Sequence, residues 1–170
     1  MADIDLKGKK YSLFRFSVTV NVVKEINGKK HILVQKRKRH PYFGDTTTIA
    51  GKIKRGEKIK DAAKRKLKEE TGLDIKKINV LGLLRKIRVD EDGKFVEDVA
   101  YNVCFAKDPI GNLQESNEWG EHRWCDIDDF IEIQKKNIDY GPYDGEITLR
   151  IKNGEFTPFH FEQISTVRDY

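Results

Sequence analysis

The sequence predicts a single α+β domain. Three observations carry that expectation: an alternating apolar and polar run from Phe14 to Val22, one strongly helical segment from Lys58 to Thr71, and strand pairs that meet at Asn-Gly or Asp-Gly turns. The chain has 170 residues, enough for one core that removes roughly 70% of the unfolded surface from water. Charged residues make up 36% of it, above the ~25% of an average domain. Nine Phe, six Tyr and two Trp are nevertheless too many large apolar groups for a disordered chain.

The elements follow in order. Phe14, Phe16, Val18, Val20 and Val22 alternate with Arg15, Ser17, Thr19 and Asn21, the two-residue period of a strand. Asn27-Gly28 turns the chain, and His31 to Gln35 is the partner strand. Lys36 to Gly56 is mainly loop, with a short strand at Thr46 to Ile49. Lys58 to Thr71 is rich in Lys, Ala, Leu and Glu and is closed by Gly72, the residue a left-handed helix end favours. Ile78 to Val89 and Phe95 to Ala106 form a second hairpin across Asp92-Gly93. A loop follows from Asp108 to Glu121, and Asp128 to Lys136 forms a short helix. Glu146 to Ile151 and Glu155 to Phe161 flank Asn153-Gly154 and are expected to form a last hairpin. The organisation is therefore one domain over 1–170, with a core of about residues 11–136 and a small C-terminal β addition over 137–170.

Composition narrows the function classes. No run of 18 apolar residues exists and the first residues lack an apolar signal region, so neither a membrane span nor secretion is expected. Cys104 and Cys125 are the two cysteines, and the four histidines show no i, i+4 pair, which leaves neither a disulfide framework nor a Cys- or His-based metal site. A reducing, cytoplasmic compartment is expected. From Lys29 to Lys68 fifteen Lys or Arg stand against three acids, giving +12, whereas from Gly111 to Glu146 ten acids stand against three bases, giving −7. The basic segment suggests an anionic partner, nucleic acid or phosphorylated small molecules, with a solvated lysine-rich surface as the plain alternative.

The helix carries the chemistry. At 100° per residue, Ile59, Ala62, Ala63, Lys66, Leu67, Glu69, Glu70 and Leu73 share one arc, and Lys58, Lys60, Asp61, Lys64, Arg65, Lys68 and Thr71 take the other. Two carboxylates and a lysine thus lie on the apolar side, where burial costs several kcal/mol unless the charge is paired or binds a metal. Either this face borders a polar, solvated cleft, or Glu70–Lys66 and Arg65–Glu69 are ordinary i, i+4 ion pairs worth ~0.3–0.5 kcal/mol each. In a solvated cleft, Glu70→Gln would leave stability within about 1 kcal/mol.

The spacing Gly51, five residues, Glu57, seven residues, Arg65, Leu67, Glu69-Glu70, Gly72-Leu73 resembles the Nudix box, matching eight of its nine defined positions. A chance match that good in a chain of this length is on the order of 10⁻⁵. The resemblance implies an α/β/α sandwich with a mixed sheet over about Phe14 to Phe130. It also implies Mg²⁺- or Mn²⁺-dependent cleavage of a phosphoanhydride in a nucleoside diphosphate linked to another group, since hard cations take oxygen ligands and phosphates complete the shell. By position Glu70 matches the principal metal ligand, Glu69 a second ligand or water-holder, and Glu57 an acid that meets Arg65 or the metal. Gly51 admits the loop closely, and the carbonyl of Ala50 would ligate metal. Where the family has Glu after the box arginine, this chain has Lys66, a local charge change of +2 that should weaken the hold on a divalent cation. With Lys66 there, three outcomes stand open: fewer metals with Lys66 on a substrate phosphate, a base elsewhere, or binding without hydrolysis.

Other candidates flank the box. Glu121-His122-Arg123-Trp124 resembles a segment that the family places after an acidic loop, so Glu115, Glu118 and Glu121 are candidates for the base, with Glu118 preferred and His122 given no role. Arg37 and Arg39 are candidates for phosphate, Tyr42, Phe43 and Trp119 for stacking on a base, and Trp124 and Cys104 for the core. The implied substrates are nucleoside triphosphates, nucleotide sugars or dinucleoside polyphosphates. Ala50-Gly51 looks like the ADP-ribose type, but the proline of that type some fifteen residues past the box is absent, since Leu83 to Gly93 has none. A catalytically impaired module that binds a nucleotide or RNA end is the alternative, direct nucleic-acid binding comes third, and Nudix proteins are often homodimers.

Overall fold

The computed structural model describes residues 14–40, 42–137 and 140–167 in full and the backbone of two short strands, β1 (Asp3–Ile4) and β2 (Lys10–Tyr11), which pair antiparallel with each other. The long alternating run becomes β3 (Phe14–Ile26), and β4 (Lys29–Arg37) returns from the Asn27-Gly28 turn. Two short strands follow, β5 (Thr46–Thr47) and β6 (Ile49–Lys52), and then α1 (Ile59–Thr71). The hairpin β7 (Asn79–Val89) and β8 (Phe95–Lys107) closes across Asp92-Gly93, and β9 (Gly120–Asp126) leads into α2 (Ile127–Lys136). The chain ends in α3 (Pro142–Asn153) and β10 (Phe159–Thr166).

The sheet runs in the order β10, β7, β8, β3, β4, β5, with β6 also on β3 and β9 also on β4. Strand β3 is parallel to β8, and β10 parallel to β7, while the other pairs are antiparallel, so the sheet is mixed. Alternation along β3 and β4 sends Val18, Val20, Val22 and Leu33 to one face, where they pack with Ala62, Ala63 and Leu67 of α1. Ile32, Val34, Tyr101, Val103 and Phe105 belong to the other core, with Phe130 of α2 and Ile147 and Ile151 of α3. The α/β/α sandwich with a mixed sheet is therefore the observed architecture. Along one edge β3 pairs first with β6, at Ser17 to Val20, and then with β4, at Val23 to Ile26. A cavity is lined by residues of these three strands, among them Ser17, Thr19, Gln35, Ala50 and Gly51.

The C-terminal hairpin is corrected. Residues 142–153 form a helix, and β10 is a strand of the main sheet rather than half of a separate β addition. Ile147, Leu149 and Ile151 alternate like a strand, but Ile147, Thr148 and Ile151 are buried on one helical face and Leu149 is exposed. Gly154, taken for a turn residue, has φ 70° and caps the helix through N–H donation to the Arg150 and Ile151 carbonyls. Pro158 lies just outside β10, where its missing N–H takes no place in the ladder. No helix among the described residues is long and apolar enough to cross a membrane.

Candidate active site

Helix α1 starts at Lys58 without a side-chain cap and has Asp61 in its first turn and Lys68 in its last, the charge order its dipole favours. Gly72, at φ 76°, donates its N–H to the Lys68 carbonyl and turns the chain out of the helix. The loop before α1 is fastened back onto it. Arg65 Nε lies 2.6 Å from Glu57 Oε1 and Nη2 2.8 Å from Oε2, a two-pronged pair, and Nη2 also donates to the Lys52 carbonyl at 3.1 Å. The Arg65 hydrogen bonds, with help from the Lys54 N–H, hold the Glu57 carboxyl down at about 2. Arg65 Nη1 reaches Glu69 at 3.1 and 3.3 Å, so one guanidinium holds both acids.

One turn along, Lys66 and Glu70 face inward, 8% and 3% exposed. Lys66 Nζ is 2.7 Å from Glu70 Oε1 and 3.6 Å from Glu69 Oε2. The Lys66 stem crosses Gly51 so closely that a Cβ there would stand 2.2 Å from Lys66 Cε. Glu70 Oε2 accepts from Gln35 Nε2 at 3.1 Å, and the same amide nitrogen is 2.9 Å from His122 Nε2. His122 Nδ1 lies 2.8 Å from the Gln114 carbonyl, which can only accept, so Nδ1 carries the proton and Nε2 accepts from Gln35. Burial pushes the His122 ring below its ordinary value, consistent with this neutral tautomer. The chain Gln114 carbonyl, His122, Gln35, Glu70 fixes the carboxylate from behind. Glu70 is thus buried rather than solvated, which overturns the expectation that Glu70→Gln is nearly neutral for stability: removing one member of a buried pair costs about 3–5 kcal/mol.

A cavity of about 360 Å³ opens over this pair, lined by seven Lys or Arg and three Asp or Glu. Of the residues expected from sequence, Ala50, Gly51, Lys66, Glu70, Arg37, Arg39, Tyr42 and Trp119 line it. Burial lowers the Arg37 guanidinium from its ordinary value. Arg39 and Lys66 lie over the Trp119 ring, at 4.1 and 4.5 Å from its centroid. Glu57, Arg65 and Glu69 stand behind the lining as the fastening of the loop. Phe43 is exposed and stacks on His40, with centroids 5.5 Å apart. Glu118 is exposed and ion-paired to Arg39 at 2.6 Å, Glu121 lies 3.9 Å from Lys38, and neither they nor Glu115 line the cavity. Cys104 is buried in the core and Trp124 packs against it.

Several lining groups escaped the sequence reading. Gln35 shares a strand face with Arg37, a signal that the two-residue period of β4 contains. Asp45, on the loop before β5, lines the cavity with no ion pair among the described residues. The β7 and β8 wall adds Lys86, which pairs with Asp144 at 2.6 Å, and Arg88, which pairs with buried Glu97 and donates to Tyr101 Oη at 2.9 Å. Gln134 on α2 leaves its Oε1 without a hydrogen-bond partner among the described residues at the cavity wall.

Fold and site together define a class: an α/β/α sandwich whose loop–helix–loop over residues 51–73 floors a cationic cavity. The chain belongs to the Nudix family, for the NUDIX domain matches residues 15–144. An ADP-ribose pyrophosphatase of Methanocaldococcus jannaschii is 31% identical over 127 residues, 74% of this chain and 71% of that protein. Among solved structures, a MutT protein from Bacillus halodurans superposes with a TM-score of 0.68 at 22% identity, covering 87% of this chain and 90% of its own. The NUDIX domain of Shewanella oneidensis NrtR, solved with ADP-ribose, gives 0.66 at 16% identity over 89% and 94%. A Caenorhabditis elegans Ap4A hydrolase gives 0.60 at 19% identity over 82% and 96%. These structural likenesses concern the fold.

Nudix hydrolases generally use divalent metals, which take carboxylate and carbonyl oxygens as ligands. Both oxygens of Glu70, of Glu69 and of Glu57 are already bonded to Lys66, Gln35, Arg65 or the Lys54 N–H. No group of three or more Asp, Glu, His or Cys side chains suited to an ion occurs among the described residues. As arranged, the expected ligands Glu70, Glu69 and Glu57 do not fit a divalent ion, because the Lys66 ammonium stands at the carboxylate where it would sit.

Proposed function

We propose that this chain hydrolyses a phosphoanhydride in a nucleoside diphosphate linked to another group: a nucleoside triphosphate, a nucleotide sugar or a dinucleoside polyphosphate. The observation that carries the reading is the cationic cavity over the box, which Lys66, Arg37, Arg39 and Lys52 line together with Glu70. ADP-ribose heads the panel of substrates because the relative at 31% identity is an ADP-ribose pyrophosphatase. Guanidinium groups of Arg37 and Arg39 suit phosphate oxygens by fork geometry, and their positive charge offsets the charge that builds on the phosphoryl oxygens as the bond breaks. Trp119, Tyr42 and Tyr101 offer aromatic surface for a base. Asp45 replaces Glu118 as the candidate base, since it is the lining carboxylate that no ion pair engages among the described residues. A Mg²⁺ or Mn²⁺ ion reaching Glu70 would first have to displace Lys66.

The test is product analysis on a nucleotide panel with and without Mg²⁺ or Mn²⁺. Wild-type protein is expected to release a nucleoside monophosphate, and Asp45→Asn to lower kcat at least about tenfold with KM nearly kept. Unchanged kcat would remove Asp45 from the chemistry. One observation favours a second reading, a module that binds nucleotide without turnover: Lys66 where the family has a glutamate. Tight nucleotide binding with no product under any metal condition would establish it.

A further inference from the structure

The inner face of α1 carries its own cation. Lys66 is held along its whole length: the stem lies on Gly51, the ammonium is 2.7 Å from Glu70, and the Trp119 ring covers it at 4.5 Å. The neighbouring carboxylate oxygens are engaged elsewhere, Glu70 Oε2 by Gln35 and Glu69 by Arg65. An added divalent ion at Glu70 would meet a unit positive charge at contact distance, a repulsion that only expulsion of Lys66 relieves. An ammonium has three N–H donors and Glu70 takes one at hydrogen-bond distance, which leaves donors for oxygen atoms of a ligand in the cavity that Lys66 lines. Arg37 and Arg39 line the same cavity.

We propose that Lys66 is a resident cation in the place of a divalent ion, and that this chain grips the pyrophosphate of its ligand without metal. The inference rests on the reading that a pyrophosphate lies over the box. It deepens that reading by replacing a bridging ion with a covalently tethered one. The tether fixes the charge at one point and makes ligand binding independent of the metal supply.

Two probes on the full chain test it: Mn²⁺ alone, followed by electron paramagnetic resonance, and inorganic pyrophosphate, titrated calorimetrically in EDTA or in Mg²⁺. Wild-type protein is expected to leave millimolar Mn²⁺ free and to bind pyrophosphate with affinities that agree within about twofold in the two buffers. Lys66→Met keeps the packed stem and should weaken that binding by about tenfold or more. Lys66→Glu should bind Mn²⁺ and make pyrophosphate binding depend on it, with circular dichroism melts reporting that each variant is folded. Mn²⁺ bound by the wild-type protein, pyrophosphate binding abolished by EDTA, or undiminished binding in Lys66→Met would each overturn the proposal. None of these readouts involves turnover, so a failure of hydrolysis alone would remove the enzymatic reading and leave this one standing.

Discussion

His122, given no role from the sequence, acquires one in the fold. Its buried ring passes a fixed polarity from the Gln114 carbonyl to Gln35 and so to Glu70. Protonation would turn Nε2 into a donor aimed at a donor and release Gln35 from Glu70. The ring's folded value is lowered by burial, so the unfolded chain takes up a proton first as pH falls below about 6.5. Stability contributed by the neutral ring is therefore full at neutral pH and is lost as pH falls from that unfolded value toward the lower folded one. Melting temperatures of wild type and His122→Gln between neutral pH and pH 5 should converge on acidification, and a constant difference would contradict the assignment. Glu70, Lys66 and Gly51 were legible because the box spacing marks them. Glu118 pairs with Arg39 outside the cavity lining, which the sequence could not announce because an acidic loop residue carries no record of which cation will claim it.

At the scale of elements, legibility tracked the strength of the local signal. Helix α1 combines strong helix formers with a glycine end, and β3 alternates over nine residues, so both were readable within a few positions. Helix α3 was not, because Ile147, Leu149 and Ile151 alternate as a strand would and Asn153-Gly154 reads as a turn. What decided its structure is tertiary: α3 presents Ile147 and Ile151 to the core shared with Phe130, while Lys86 pairs with Asp144 in its first turn. Ile151→Ala should cost about 2–5 kcal/mol and Leu149→Ala less than about 0.5 kcal/mol in urea unfolding. Equal losses at the two positions would fit a strand and refute the helical face. Strand β10 was misread for a related reason, since a parallel partner such as β7 leaves no turn in the sequence to announce it.

Over the whole molecule the division of charge along the chain is folded onto itself. Strand β4 of the basic segment pairs with β9 of the acidic one, and beyond the strand end Lys38 meets Glu121 and Arg39 meets Glu118. Of the fifteen bases of the basic segment Arg37, Arg39, Lys52 and Lys66 line the cavity, and Arg15, Lys86 and Arg88 bring its cations to seven against three acids. That distribution suits a small polyanion more than a duplex. Nucleotide binding is therefore expected to exceed duplex DNA binding at every salt concentration. A duplex that binds as tightly, with a log–log salt slope near −0.9 per phosphate contacted, would relocate the ligand to the outer basic face. Cleavage at the box is tested most directly by chromatography of the products from ADP-ribose and nucleoside triphosphates, comparing wild type with Glu70→Gln below the melting midpoint of each. Release of nucleoside monophosphate by the wild type and its loss in the folded variant is the predicted result, and equal release by both would contradict it.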